Sequence, residues 1–375
     1  MHSNLSILHI AQESIGGVRK HIHEIINNLG SDFNFYYISS KNADSKFFED
    51  LNSPSFSKVT YTPLNISKKF TLSDFSNIYH LIKFVKKNQI HVIHGHGSKG
   101  GLYARLTGIF TGCNVVYTPH GGAVHNAYSL GMNIFIVLVE SFLSFFTDLY
   151  IFESNYTKNN FYSKFYVNRT NFQVIKNCCV PPEKLILDRN FSSKVINIFV
   201  IGLIRYEKGQ DLSLDIIHEL RNNLNFKFRL HFIGPCPDQK FHKLLLGKIN
   251  KLNIDAIFHG EVVDPWVFFS PNSLLLVPSR FESFGYVALE AILRGIPVIS
   301  SDVGGLKEVL GSDYQFLYSV DSSLNGATKV VEYISLPQDQ LNNHLILYRN
   351  RATQIFNCDS SMLILSKAYR DVSRF

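Results

Sequence analysis

A strand–loop–helix rhythm runs along the chain and, more than any other feature, limits the folds open to it. Short apolar runs at residues 6–11, 33–39, 90–94, 114–118, 149–152 and 172–175 read as buried strands. Between them lie amphipathic stretches. Val18, Ile22, Ile25 and Ile26 share one face of a helix over 18–29, which Gly30 ends. Ser73 is the expected N-cap of a helix to about 87, with Phe75, Ile78, Leu81, Ile82 and Val85 as its buried stripe. After Pro181–Pro182 and a polar stretch at 187–194 the rhythm restarts. Strands are expected at 195–202, 228–233, 256–259, 273–277 and 297–300, with helices at 211–222 and 283–294, and beyond 342. Strands that alternate with helices build parallel sheets covered on both faces. The expected fold class is therefore α/β, with two doubly wound Rossmann-like domains at 1–180 and 195–375 and a linker at 181–194. The last helix is a candidate to cross back onto the first domain. Ligands belong at the carboxyl ends of the strands.

At 375 residues the chain exceeds what one core usually supports, and 45% apolar with 18% charged residues supplies two. A disordered chain is excluded. Five scattered cysteines, with no C-x-x-C, argue against a zinc site or a disulfide framework and for a reducing compartment. The adjacent Cys178 and Cys179 read as small apolar residues. No signal peptide is expected from the first residues. The most apolar stretch, 132–146, is too short to span a bilayer and carries Glu140, so it reads as a buried or surface-lying helix. A net charge of +7 points to an acidic partner: nucleic acid, a membrane surface or a phosphorylated substrate.

Three loops carry the chemistry. Residues 278–291 place Glu282 in a loop after a strand and Glu290 eight residues on, about two turns into a helix. The helix N-terminus between them, around Phe284 and Gly285, presents backbone N–H groups suited to a diphosphate, and Gly285 allows close approach. The two carboxylates can accept hydrogen bonds from hydroxyls on either side of it. The alternative is a first-turn Glu favoured by the helix dipole plus an unrelated one. In the loop 202–209, Arg205 and Lys208 supply a bidentate fork and a mobile point charge for one anion, or else face solvent. Gly16 and Gly17, after the first strand, admit a phosphate or sugar close to the backbone, or form a plain tight turn.

In this order the loops resemble the family-4 retaining glycosyltransferases of the GT-B fold. The resemblance extends to the stretch His94–Lys99, to Thr118–Pro119–His120–Gly121, and to residues 295–298 and 302–308. It implies two domains facing each other across a cleft and closing on the donor. It implies that Arg205 and Lys208 neutralise the donor diphosphate, with Phe284, Gly285 and Gly17 contributing backbone. Glu282 would hold donor-sugar hydroxyls, Glu290 the ribose, and His120 would stand at the reacting face of the sugar. Gly16, His96 and Lys99 fall to the acceptor side, Lys99 toward an acceptor phosphate. Two departures, Cys178 after Asn177 and Pro235–Cys236 after Gly234, fall at the hinge and the nucleobase pocket.

The implied function is metal-independent, retaining transfer of a sugar from a nucleoside-diphosphate sugar, UDP-linked before GDP-linked. The acceptor would be a glycan or lipid diphosphate in bacterial O-antigen, capsule or exopolysaccharide synthesis. No cofactor is expected, the nucleotide-sugar being a substrate. No D-x-D triplet occurs that could bridge a metal to the diphosphate, and fixed cations can take its place. His91, His94 and His96 read as substrate-facing or structural rather than as metal ligands. Residues 95–100 match G-x-G-x-x-G, but a dinucleotide site wants an acidic residue about 20 positions on, and the next is Glu140. A sugar-nucleotide epimerase and a non-catalytic nucleotide-sugar-binding protein share the architecture and remain as alternatives.

The charge can be located. Residues 1–180 hold 16 basic and 10 acidic residues, and the remainder 21 and 20, so the excess sits in the acceptor-side half. Lys68, Lys69, Lys83, Lys86 and Lys87, with Phe70 and Phe84, form either a docking face for anionic lipid or a solvated helix face. The expected location is cytoplasmic, with the inner face of the membrane as the candidate surface. Nucleic acid is not expected as a partner.

Overall fold

The computed structural model describes residues 5–67, 69–121, 130–167, 171–183, 191, 195–223 and 226–373. Most of the stretch 181–194, Gly122 and Lys68 lie outside the described residues. The chain divides into two compact units, Met1–Cys178 with Cys358–Phe375, and Cys179–Asn357.

The first unit runs β1 (Ser6–Ala11), α1 (Gly16–Leu29), β2 (Asn34–Ser39), α2 (Ser45–Leu51), β3 (Thr60–Pro63), α3 (Ser73–Lys87), β4 (Val92–His96), α4 (Gly97–Thr111), β5 (Asn114–Thr118), α5 (Leu130–Leu143), β6 (Leu149–Phe152), α6 (Asn155–Lys164) and β7 (Phe172–Val174). The strands form one parallel sheet in the order β3-β2-β1-β4-β5-β6-β7. Period-2 alternation sends neighbouring residues to opposite cores. Ile7 packs with Ile22 and Ile25 of α1, while Leu8 packs with Leu81 and Val85 of α3.

The second unit runs β8 (Val195–Ile201), α7 (Gln210–Asn223), β9 (Lys227–Ile233), α8 (Gln239–Leu252), β10 (Ala256–Gly260), β11 (Ser273–Val277), α9 (Tyr286–Leu293), β12 (Val298–Ser301), α10 (Leu306–Leu310), β13 (Leu317–Tyr318), α11 (Ser323–Ile334) and α12 (Gln338–Ile355). Its parallel sheet has the order β10-β9-β8-β11-β12-β13. In both sheets the order reverses beside the first strand of the unit, at β1/β4 and β8/β11. Those switch points open crevices at the strands' carboxyl ends. The last helix, α13 (Cys358–Val372), belongs to the first unit, where Met362, Leu365 and Tyr369 join the core beside α1.

Four local expectations are corrected. Phe75 is exposed rather than part of the α3 stripe. Asp74 and Asn77 take buried positions instead, because Lys99 and Tyr103 of α4 offer them partners. Ser73 does not cap α3; Asp74 holds the entry by accepting from the Thr71 N–H at 2.8 Å. The helix carrying Glu290 starts at Tyr286, so Glu290 lies about one turn in. Cys178 is not a free apolar residue but forms a disulfide with Cys358, 180 positions away, where α13 begins. Gly95 and Gly100 of the G-x-G-x-x-G stretch serve packing. A Cβ on Gly95 would meet Gly100, and one on Gly100 would meet the Ile10 carbonyl.

Candidate functional site

In the second unit the two chemistry-bearing loops meet. The β8 loop leaves through Gly202 and turns back at Gly209, whose φ of +69° is left-handed and whose missing Cβ leaves room for the Pro278 carbonyl. That approach lays the 205–209 loop against the segment following β11. Arg280 fastens them. Its guanidinium bonds both carboxylate oxygens of Asp211 at 2.7 and 2.8 Å, Asp321 at 2.7 Å and the Tyr206 carbonyl at 2.9 Å, and it lies over the Tyr206 ring. Its own backbone N–H donates to the Glu207 carbonyl. The Lys208 Nζ donates to Glu282 Oε2 at 2.5 Å, joining the expected cation of one loop to the expected carboxylate of the other. Arg205 is exposed, its Nε 3.7 Å from Glu207.

Gly285, at φ +104°, caps α9 where a Cβ would collide with Leu306. Phe284 is buried edge-to-face on Phe356, so of this pair only backbone can serve a ligand. The first N–H groups of a helix lack intrahelical partners, and here they follow the Lys208–Glu282 pair. Glu290 Oε2 accepts from the Trp266 indole at 3.1 Å, and Arg294 lies over that ring. Trp266 and Arg280 went unrecognised in the sequence. The available signals were a single tryptophan in 375 residues and an arginine two residues before Glu282.

In the first unit the switch-point strands gather histidines. Pairing of β1 with β4 sets His9 beside His94 and Ala11 beside His96, and β5 sets Thr118 beside His96. His120, just past β5, holds φ +50°, uncommon for a side-chain-bearing residue. Its Nδ1 is 2.9 Å from Glu153 Oε2, at the end of β6, and its Nε2 is 3.1 Å from His96 Nδ1. His96 Nε2 continues to His9 Nδ1 at 2.9 Å. His94 is saturated by the Tyr369 hydroxyl and Thr118 at 2.7 and 2.9 Å. From α1, His21 reaches Asn177 Oδ1 at 2.6 Å. Burial, reinforced by the neighbouring His21, holds His9 down to about 3. Burial and His120 hold His21 down to about 4, and His94 and His96 also fall well below the usual imidazole range. Burial opposes ionisation of Glu153, but the His120 charge and hydrogen bond outweigh it and its pKa is lowered. Glu153, His9 and His21 were missed in the sequence, although a polar His9 inside an apolar strand was a visible anomaly.

Three acceptor-side expectations change or sharpen. Lys99 is buried, with Nζ 3.0 Å from both Asp74 Oδ2 and the Lys69 carbonyl, so its charge is already spent within the unit. His96 is 1% exposed and stands behind His120 rather than facing an acceptor. Gly16 and Gly17 are exposed at the start of α1, Gly16 at φ +55° with its N–H on Asp44 Oδ2. His91 lies apart from the cluster and accepts from the Ser6 N–H.

Two doubly wound parallel-sheet domains are the architecture of the GT-B glycosyltransferases. Residues 15–180 match the model "Glycosyltransferase Family 4" and residues 184–346 match "Glycosyl transferases group 1". The chain belongs to the family-4 glycosyltransferases. It is 27% identical over 88% of its length to an uncharacterized 41.2 kDa protein in the cps region of Klebsiella pneumoniae, covering 88% of that protein. It is 24% identical to the O-antigen biosynthesis glycosyltransferase WbnH of Escherichia coli, covering 80% of this chain and 82% of the relative. Among solved structures it resembles Anabaena Alr3699/HepE in complex with UDP and glucose. The TM-score is 0.78 at 17% identity, over 98% of this chain and 100% of the other.

Proposed function

We propose that this glycosyltransferase moves a sugar from a UDP-sugar to a glycan or lipid-diphosphate-linked acceptor in the synthesis of a bacterial surface polysaccharide, with retention and without a metal. The observation that carries this reading is the Lys208–Glu282 pair, 2.5 Å apart and only partly buried beside the start of α9. A diphosphate bound there takes Lys208 and the exposed Arg205 fork, and the helix N-terminus adds N–H donors. Fixed positive charge then stabilises the leaving diphosphate, the task a metal performs elsewhere. Glu282, released from Lys208, accepts hydroxyls of the sugar, and Glu290, oriented by Trp266, accepts those of the ribose. To His120 falls the role that the family resemblance implies, at the reacting face of the sugar. The acceptor attacks from the side the diphosphate leaves, and a phosphate oxygen takes its proton. The polysaccharide assignment draws on relatives named for a cps region and for O-antigen synthesis, and the uridine preference on the UDP complex of the structural neighbour.

Peripheral contact with a membrane fits the first unit. Among the described residues no helix is long and apolar enough to cross a bilayer. Helix α5 nevertheless turns its one charged residue inward. Glu140 is buried in a two-point ion pair with Arg105 at 2.6 and 3.0 Å, while Phe135, Leu138 and Phe142 are exposed. An apolar face turned to water is what an interfacial helix presents.

The deciding experiment is sugar transfer from UDP-glucose and UDP-N-acetylglucosamine to a lipid-diphosphate acceptor, followed by NMR. Glu282→Ala and Arg205→Ala should each lower turnover at least a hundredfold, and the product should keep the donor's anomeric configuration. Wild-type rates in both variants would remove the site. Conversion of the UDP-sugar with no acceptor present would replace the reading with epimerisation.

A further inference from the structure

The histidine cluster of the first unit contains more nitrogen lone pairs than its hydrogen bonds use. Partners assign the tautomers. In the neutral form of His120 the proton sits on Nδ1, 2.9 Å from the Glu153 carboxylate, which leaves Nε2 bare. His21 Nδ1 faces the Asn177 oxygen and also carries its proton, and its Nε2 is buried with no hydrogen-bond partner. His96 can place its single proton on Nε2, toward His9 Nδ1, and then Nδ1 is bare as well. One ring nitrogen from each of His21, His96 and His120 lies within 4.8 Å of the other two. We propose that these three imidazoles form a binding site for a divalent ion of the Zn²⁺ type, with a fourth position left open.

The donor set and its surroundings both fit. Tetrahedral zinc takes neutral imidazole at about 2.0–2.1 Å, which separates ligand nitrogens by roughly 3.3 Å. His96 Nδ1 and His120 Nε2 are already 3.1 Å apart. Ligating histidines fix their orientation by donating the other N–H to an acceptor, a carboxylate above all. Here Glu153 lies 2.9 Å from His120 Nδ1, while Asn177 faces His21 and His9 faces His96. Two further observations point to a missing ligand rather than to packing. The His21 Nε2 is a buried acceptor left unpaired, which is unfavourable until a ligand fills it. His120 is held at φ +50°, a conformation that persists where the surroundings impose it. The neighbouring group His9, His94 and His96 is a poorer site, because both ring nitrogens of His94 are occupied. Glu24 with Cys178 and Cys358 is closed to metal while the disulfide stands.

The site itself does not depend on the proposed transfer, but its consequence does. An ion on His120 Nε2 ties up the ring that the transfer reading assigns to the donor sugar, so ion and productive donor exclude each other. Transfer then needs no metal and is inhibited by one.

Cobalt titration of the metal-free, oxidised full-length protein tests the site independently of activity. One equivalent should bind with the intense visible absorption of four-coordinate Co²⁺, and Zn²⁺ should displace it. His21→Ala should lose this spectrum, and Glu153→Gln should weaken binding about 10–100-fold. X-ray absorption of the zinc-loaded wild type removes dependence on whether a variant folds. It should show nitrogen near 2.0 Å and no sulfur. Absence of stoichiometric binding, a sulfur shell, or unchanged binding in a folded His21→Ala protein would overturn the proposal. Zinc that binds as described without slowing transfer would leave the ion site standing and sink the placement of His120 in the transfer.

Discussion

Arg280 is neither of the expected diphosphate cations, yet it fixes where they stand. It ties the β11 loop to Asp211 of α7, to Asp321 and to the Tyr206 carbonyl, and so sets the distance between Lys208 and Glu282. Replacing it with Ala leaves the Asp211 carboxylate, only 16% exposed, without its two-point partner. The expected loss is about 1–3 kcal/mol in urea unfolding. The thermal stabilisation by UDP should shrink with it, because the two loops drift apart. Arg280→Lys should recover little of either, since an ammonium cannot span both carboxylate oxygens. Full UDP stabilisation in a folded Arg280→Ala protein would show that the loops hold their register without it.

Helix α3 illustrates how the first turn of an element is anchored by charge ahead of its apolar stripe, Leu81 and Val85. Asp74 in its first turn accepts from the Thr71 N–H, the Tyr103 hydroxyl and the Lys99 ammonium. Burial alone would raise its pKa, but hydrogen bonds from Tyr103, Thr71 and Lys99 outweigh that and lower it. A carboxylate depressed in the folded state stabilises above its unfolded pKa of about 3.9 and loses that contribution as the pH falls through the folded value. Asp74→Asn should therefore be less stable than wild type above about pH 5, and the gap should close on acidification. Denaturation midpoints across that range provide the check; a gap that persists in acid would mean that the carboxylate's charge is not what holds the helix.

At the scale of the whole molecule, both passages of the chain between the units fall at the disulfide. Cys178 ends the first passage through unit one and Cys358 begins the second. The bond closes a loop of chain that contains the second unit. Folding of that unit already confines the loop ends, so the gain is smaller than the roughly 5 kcal/mol that chain entropy gives for an open loop of this length. Its main effect is to hold α13, and with it Tyr369 on His94, against the first sheet. Non-reducing peptide mapping should recover Cys178 linked to Cys358. Cys358→Ser should raise hydrogen exchange across α13 first, and equal protection in the variant would assign that docking to packing alone.

The same unit presents the apolar face of α5 and, on α3, exposed Lys83, Lys86 and Lys87. Sedimentation with anionic liposomes should fall when Phe135, Leu138 and Phe142 become Ser, and fall with added salt or when the three lysines become Glu. No binding by the wild type would remove membrane contact from the proposal.

The sequence by itself determined the parallel α/β class, the restart of the rhythm near residue 195 and the loops that carry Arg205, Lys208, Glu282 and Glu290. Those features are local. Period-2 and helical apolar patterns, glycines and strand-end loops act within a few residues of one another and are written consecutively. Tertiary structure alone decided which polar groups meet. Lys208 reaches across 74 positions to Glu282, and Cys178 across 180 to Cys358. Lys99 looked free because Asp74 lies 25 residues away, and Phe75 looked buried because helical periodicity cannot tell which face a neighbouring helix will supply with ion partners. The histidines of β1, α1, β4 and the β5 loop become one cluster only through strand register and the packing of α1. A one-residue shift in that register would turn each strand histidine to the other face.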